Sequence, residues 1–225
     1  MRFIFFIFVI FTIQFECSRA YYEYFNMVQQ WPVTLCMFRI KGCAVKALPN
    51  KFTIHGLWGT NVSAPYPKDC TNEILSPITY GKFLSQIQNE WPDIENGNDK
   101  GFVETEWLKH GTCSLNKFTQ IEYLQLALDI KNSISLIDVL KNANIVPHKT
   151  ATYDISDIVR AIKTSHPNEP TLMCKMDPNP RNVIPYLQEI RLCFEDNGIT
   201  PRNCPGNTRI MCINKNSNNK VFFPA

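Results

Sequence analysis

Apolar and polar residues follow two different periods along this chain, and the change of period divides it. Near the start, Tyr22, Tyr24 and Phe25 lead through Gln30 to Trp31, and residues 51–58 form a second aromatic and β-branched run bounded by proline and glycine. Both read as strands. Over residues 74–91 the apolar positions recur at helical spacing, with Pro77 confined to the first turn, where a missing N–H is tolerated. Ile121, Leu124 and Leu128 form a second helical stripe, and Ile155, Ile158, Val159 and Ile162 a third. Ile190, Leu192 and Phe194 then alternate with Glu189 and Arg191, the period-two pattern of a half-buried antiparallel strand. Residues 214–220, rich in Asn and Lys, read as a solvated loop or tail. Strands at both ends of a helical middle predict an α+β domain: one central antiparallel sheet packed by several helices. Neither a repeat nor a linker interrupts it, so residues 21–225 read as a single domain.

The first 20 residues obey neither period. An apolar run over residues 3–13 follows Arg2, and Ser18 and Ala20 supply small residues at the end of the segment. That is the pattern of a secretory signal peptide, and the run is shorter than the roughly 20 residues a membrane span needs. Residues 1–20 are therefore expected to be removed, giving a secreted, extracellular protein without a membrane segment. The remainder keeps 21 basic and 19 acidic side chains and eight of the nine cysteines. An even cysteine count in an oxidising compartment predicts four disulfides, although eight cysteines allow about 105 pairings and spacing alone does not choose among them. Zinc is not expected, because no Cys-x-x-Cys pair occurs. With 44% hydrophobic and 19% charged residues, the composition excludes disordered, collagenous and coiled-coil classes. A net charge of +3 neither predicts nor forbids a nucleic-acid partner.

Four histidines occur, and two of them sit in suggestive company. His55 lies in KFTIHGLWGTN, in a strand expected to end at Gly56, with Phe52, Ile54 and Leu57 as packing positions. His110 lies in GFVETEWLKHGTCS, four residues after Glu106, so the two share one face of a helix, with Lys109 beside them. Gly111 ends that helix, placing His110 at a helix C-terminus, where the protonated imidazole is favoured. His148 and His166, each next to a proline, read as exposed loop residues. Two histidines, a lysine and a glutamate suit cleavage of RNA by its own 2′-hydroxyl. One neutral imidazole takes the 2′ proton, one protonated imidazole protonates the leaving 5′ oxygen, and a cation steadies the charge on the phosphorane. No cofactor or metal is needed, since the nucleophile belongs to the substrate.

FTIHGLW and EWLKHGTC, in that order, resemble the two active-site segments of the ribonuclease T2 family, and the opening YFNMVQQWP and the cysteine spacing fit as well. Within the family the chain looks most like the plant S-RNases of gametophytic self-incompatibility, in particular the rose-family type. The resemblance implies His110 as general base, His55 as general acid, and Glu106 and Lys109 as groups that stabilise the pentacovalent phosphate. It implies Trp58, Gln30 and Phe102 as base-binding residues, and the disulfides Cys36 with Cys43, Cys70 with Cys113, Cys174 with Cys212, and Cys193 with Cys204. The partners it implies are RNA and, for an S-RNase, pollen F-box proteins met after uptake into the pollen-tube cytoplasm; a monomer is expected. Two positions depart from the family. Gly59 replaces the usual proline after Trp58, so Trp58 is expected to be held less firmly, and Thr105 replaces a frequent histidine before Glu106. Asn61-Val62-Ser63 is an N-glycosylation sequon in the polar segment 59–70, which resembles the S-RNase hypervariable region and is expected to be an exposed loop.

Overall fold

A computed structural model of the chain describes residues 22–64, 66–206, 210–212 and 217–225. The signal segment 1–20 and residues 214–216 lie outside the described residues. In chain order the elements are β1 (Tyr24–Gln30), α1 (Pro32–Met37), β2 (Thr53–Thr60), α2 (Pro77–Lys82), α3 (Leu84–Glu90), α4 (Asp99–Lys109), a 3₁₀ turn (Gly111–Ser114), α5 (Gln120–Ser133), α6 (Leu136–Asn142), β3 (Thr152–Asp154), α7 (Ile155–Ile162), β4 (Thr171–Lys175), β5 (Tyr186–Glu195), β6 (Pro201–Arg202), β7 (Ile210–Met211) and β8 (Lys220–Phe222). The domain is α+β. Its sheet runs β2-β1-β5-β4-β7, with β6 and β8 on β5 and β3 on β8. The central pairings are antiparallel, while β4 with β7 and β5 with β8 are parallel.

The register sorts the side chains of the three central strands onto two faces, because directly paired residues in an antiparallel sheet point the same way. Phe25 and Met27, Ile54 and Leu57, and Ile190, Leu192 and Phe194 share the inner face, all buried in one core with Leu124, Ala127 and Leu128 of α5. Asn26 and Gln30, Trp58, and Glu189 and Arg191 share the other. Thr119 caps α5 through a reciprocal box with Glu122, which fixes where that covering helix begins.

Several elements differ from their sequence expectation. The helical run over 74–91 is two helices broken at Phe83, although Phe83, Ile87 and Trp91 still form one buried stripe at four-residue spacing while Ile74 and Ile78 are exposed; Pro77 does open the first helix, behind the cap Ser76. The strand carrying His55 does not stop at Gly56 but continues to Thr60. Lys220 opens a strand, and the chain end beyond the Asn/Lys run is anchored: Phe223 packs on Trp31 and Phe52, and Trp31 Nε1 donates to the Pro224 carbonyl at 2.8 Å. Disulfides join Cys36 to Cys43, Cys70 to Cys113, Cys174 to Cys212 and Cys193 to Cys204. The second ties the loop after β2 to the 3₁₀ turn that follows His110.

Candidate active site

A β-bulge sets the site. Val28 pairs with Gly56 and Gln29 with Ile54, so His55 is the extra residue of β2, with no partner opposite. A bulge re-aims one side chain out of the ladder, and here the chain pins it from behind: Trp91 Nε1 donates to the His55 carbonyl at 3.0 Å. The imidazole reaches Glu189 of β5, whose Oε1 lies 2.7 Å from Nδ1, and Nε2 lies 3.9 Å from Glu106 Oε1. Phe102, in the first turn of α4, stacks over the same ring at 6.0 Å between centroids.

The second histidine comes from the end of α4. His110 is its C-cap, its N–H bonded to the Glu106 carbonyl, so Glu106 and His110 stand one turn apart. Trp58 joins them to the sheet. Its Nε1 donates to Glu106 Oε2 at 2.7 Å, and its indole stacks on His110 at 4.7 Å and 25° and meets His55 edge-on at 5.0 Å. Gly56 makes this approach possible: a Cβ there would fall 2.2 Å from Glu106 Oε2 and 2.3 Å from Trp58 Nε1. Gly59 does not loosen Trp58. It is a buried strand residue paired with Phe25, against which the Tyr22 ring packs too closely for any Cβ, and the indole is fixed by Glu106, His110 and the Arg191 guanidinium 5.0 Å from its ring.

The two imidazoles are pushed in opposite directions. For His110, burial, then the Lys109 and His55 charges, lower the pKa to about 3, overriding the helix C-terminus that was expected to favour its protonated form. Both its ring nitrogens are shielded from solvent and lack a hydrogen-bond partner among the described residues. For His55, burial also acts downward, but the Glu189 hydrogen bond and the charges of Glu189 and Glu106 outweigh it and raise its pKa above the ordinary value. Burial raises Glu106, against the pull of His55 and the Trp58 hydrogen bond. Glu189, although burial opposes ionisation, is held below the usual carboxylate range by His55 and Arg191. Such a pair supplies a neutral proton acceptor and a charged proton donor at one pH, the requirement of acid–base catalysis.

The other residues singled out from the sequence are placed as follows. Lys109 is exposed on the last turn of α4. Gln30 is buried at the end of β1, paired with Thr53 and Glu189. Asn61 follows β2 and its Oδ1 accepts the Glu23 N–H at 3.2 Å; the exposed part of segment 59–70 begins only after it, since Gly59 and Thr60 belong to the strand. His148 is exposed, but His166 is not a loop residue in solvent: it is 1% exposed and packs on Phe194. Sequence reading missed Glu189 and Arg191 as site residues. The signal available was two opposite charges at i and i+2 on a half-buried strand, which must share a face.

No helix among the described residues is long and apolar enough to cross a membrane. Residues 22–204 match the ribonuclease T2 family. The chain is 32% identical over 195 residues to ribonuclease S-2 of Antirrhinum hispanicum, covering 84% of this chain and 79% of that protein. It is 32% identical over 190 residues to extracellular ribonuclease LE of Solanum lycopersicum, covering 82% and 81%. The structure of ribonuclease MC1 from bitter gourd seeds superimposes with a TM-score of 0.80 at 31% identity, covering 90% of this chain and all of that one. With a family match over most of its length and a shared fold, the chain belongs to the ribonuclease T2 family and is a ribonuclease of that type.

Proposed function

We propose that the chain is a secreted, metal-independent endoribonuclease that cleaves single-stranded RNA to a 2′,3′-cyclic phosphate. His110 takes the 2′ proton, and that oxygen attacks the phosphorus. His55 then gives its Nε2 proton to the departing 5′ oxygen. Lys109 offsets the negative charge that accumulates on the phosphorane, and Glu106, 3.9 Å from that nitrogen, assists the proton transfer. Two imidazoles brought together beside Glu106 and Glu189 carry this reading, with His110 neutral at neutral pH and the proton affinity of His55 raised by its carboxylate neighbours. Phe102, which stacks over His55, and Gln30, paired with Glu189 at the end of β1, serve in this reading as base-binding groups. Trp58, half-buried and held by Glu106 and His110, is the third base-binding group of this reading.

RNA cleavage by the mature protein in EDTA, beside His55→Ala and His110→Ala variants with wild-type melts, tests this. Cyclic phosphate from the wild type and loss of about 10²–10⁴-fold in each variant support it; a folded, inactive wild type refutes it. The biological role we propose is that of a pistil S-RNase, cytotoxic to self pollen tubes, with pollen F-box proteins as partners and a glycan on Asn61. The resemblance of the active-site segments and the sequon to that group supports it. The second reading, an S-like ribonuclease for phosphate scavenging, senescence or defence, draws on an equal likeness to an extracellular tomato ribonuclease. Transcript confined to the style favours the first, and transcript induced by phosphate starvation the second.

A further inference from the structure

A carboxylate deep in a sheet needs a reason, because moving a charge out of water costs more than an ordinary contact returns unless it is fully partnered. Glu189 is 6% exposed in the longest strand, and both of its oxygens are committed. Oε2 accepts from Arg191 Nε at 3.2 Å and from its Nη2 at 2.8 Å, a forked pair two residues along the same strand. That leaves Oε1 for His55 Nδ1 at 2.7 Å. Arg191 in turn lies over Trp58, and Trp58 stacks on His110. One chain of contacts therefore runs from the acid to the base.

We propose that Glu189, locked by Arg191, is the positioning residue of the general acid, fixing the His55 ring so that Nδ1 donates to the carboxylate and Nε2 presents the transferable proton to the substrate. The inference rests on the ribonuclease reading above. The charged or titratable groups that face His55 are Glu189 and Arg191 from β5, Glu106 from α4, and His110 at the end of α4. Of these only Glu189 makes a close hydrogen bond to its ring, so the protonation of His55 depends mainly on this carboxylate. Removing the charge while keeping the shape lowers the proton affinity of His55. Removing Arg191 instead frees Oε2 and lets the carboxylate turn.

The test compares wild type, Glu189→Gln, Glu189→Asp and Arg191→Gln, each checked by thermal melt, with NMR titration of the His55 ring and the pH profile of kcat/KM on RNA. In Glu189→Gln the His55 titration is expected to move about one pH unit downward and the alkaline limb of the profile to move with it. The loss of kcat/KM is expected to be about tenfold near neutral pH and smaller in acid, with Glu189→Asp recovering part of it. A purely structural role for Glu189 lowers the melt and the amplitude but leaves the limb in place. A folded Glu189→Gln variant with an unmoved His55 titration overturns the proposal. A wild type inactive on RNA overturns the ribonuclease reading instead, and the two failures are distinct because the titration is read without substrate. If Glu189→Gln does not fold, Glu189→Asp, which shortens the carboxylate away from Nδ1, gives the deciding titration, and an unmoved His55 there counts against the proposal.

Discussion

Gly56→Ala adds one methyl group to a strand and should nevertheless disable the site. The backbone at Gly56 is ordinary extended strand, so alanine meets no conformational barrier and by itself favours the strand by about 0.5–1 kcal/mol. Its Cβ, however, would lie 2.2 Å from Glu106 Oε2 and 2.3 Å from Trp58 Nε1, where side-chain carbons do not come closer than 3.0 Å. The two groups must retreat by about 0.8 Å and about 0.7 Å respectively, in different directions, which breaks the 2.7 Å hydrogen bond between them. A hydrogen bond to a charged group contributes roughly 1.5–3 kcal/mol, so the net destabilisation is about 1–2 kcal/mol. The kinetic cost is larger in proportion. Displacing the carboxylate that assists proton transfer by about 1 Å reduces turnover by 10- to 100-fold, because alignment and preorganisation are lost together. Initial rates on a fluorogenic oligoribonucleotide, with a denaturant melt of the same sample, read both quantities. Activity within twofold of wild type would show that the Glu106–Trp58 contact does not organise the reaction, and the argument from Gly56 would fall.

Further outcomes follow from the same geometry. Burial is the chief cause of the low His110 pKa and the Trp58 indole lies against that ring, so Trp58→Ala should raise the His110 pKa toward the ordinary 6.5 and move the acid limb of kcat/KM upward; an unmoved limb contradicts this. Between about pH 6.5 and 3 the unfolded chain binds a proton at His110 that the folded chain refuses, so folding stability falls as the pH drops through that window. His110→Ala should remove that contribution, on the order of 2–4 kcal/mol after solvent screening, and flatten the acid side of a melting-temperature profile; unchanged steepness counts against it. Replacing Cys70 and Cys113 with serine opens a loop of 43 residues, which the chain-entropy account values at about 4 kcal/mol, and loosens the turn after His110. Both the melt and kcat should fall, and a variant that loses stability alone would show that the bridge does not hold the site.

Where local pattern and tertiary demand agree, the sequence is a good guide. The alternation of Ile190, Leu192 and Phe194 is the inner face of β5, and the 121–128 stripe includes the buried side of α5, although Ile121 stays exposed. Pattern misleads where tertiary packing redirects a residue. The helical spacing over 74–91 places Phe83, Ile87 and Trp91 inward as observed, but it gives no sign that the helix breaks at Phe83 or that Ile74 and Ile78 stay exposed. The short pairings of β3 with β8 and β4 with β7 depend on contacts distant in sequence, which a local period does not record. Within the site, the motifs carry His55, Glu106, Lys109 and His110. They do not reveal the bulge that aims His55, since a bulge is a property of register with β1. They are silent about Glu189 and Arg191 as well, which reach the site from a strand more than 130 residues away in the chain. Glycine at position 59 reads as a loosened loop from the motif alone, and only the Tyr22 ring above it explains the residue.

The pH dependence of kcat/KM on RNA from pH 2.5 to 9, measured in EDTA, tests the central claim most directly. That claim is that one neutral and one charged imidazole, driven apart by burial on one side and a carboxylate on the other, perform the reaction together. The account predicts a broad plateau, with an acid limb well below 6.5 set by His110 and an alkaline limb above 6.5 set by His55. A narrow bell centred on 6.5, or a profile with a single limb, would contradict it.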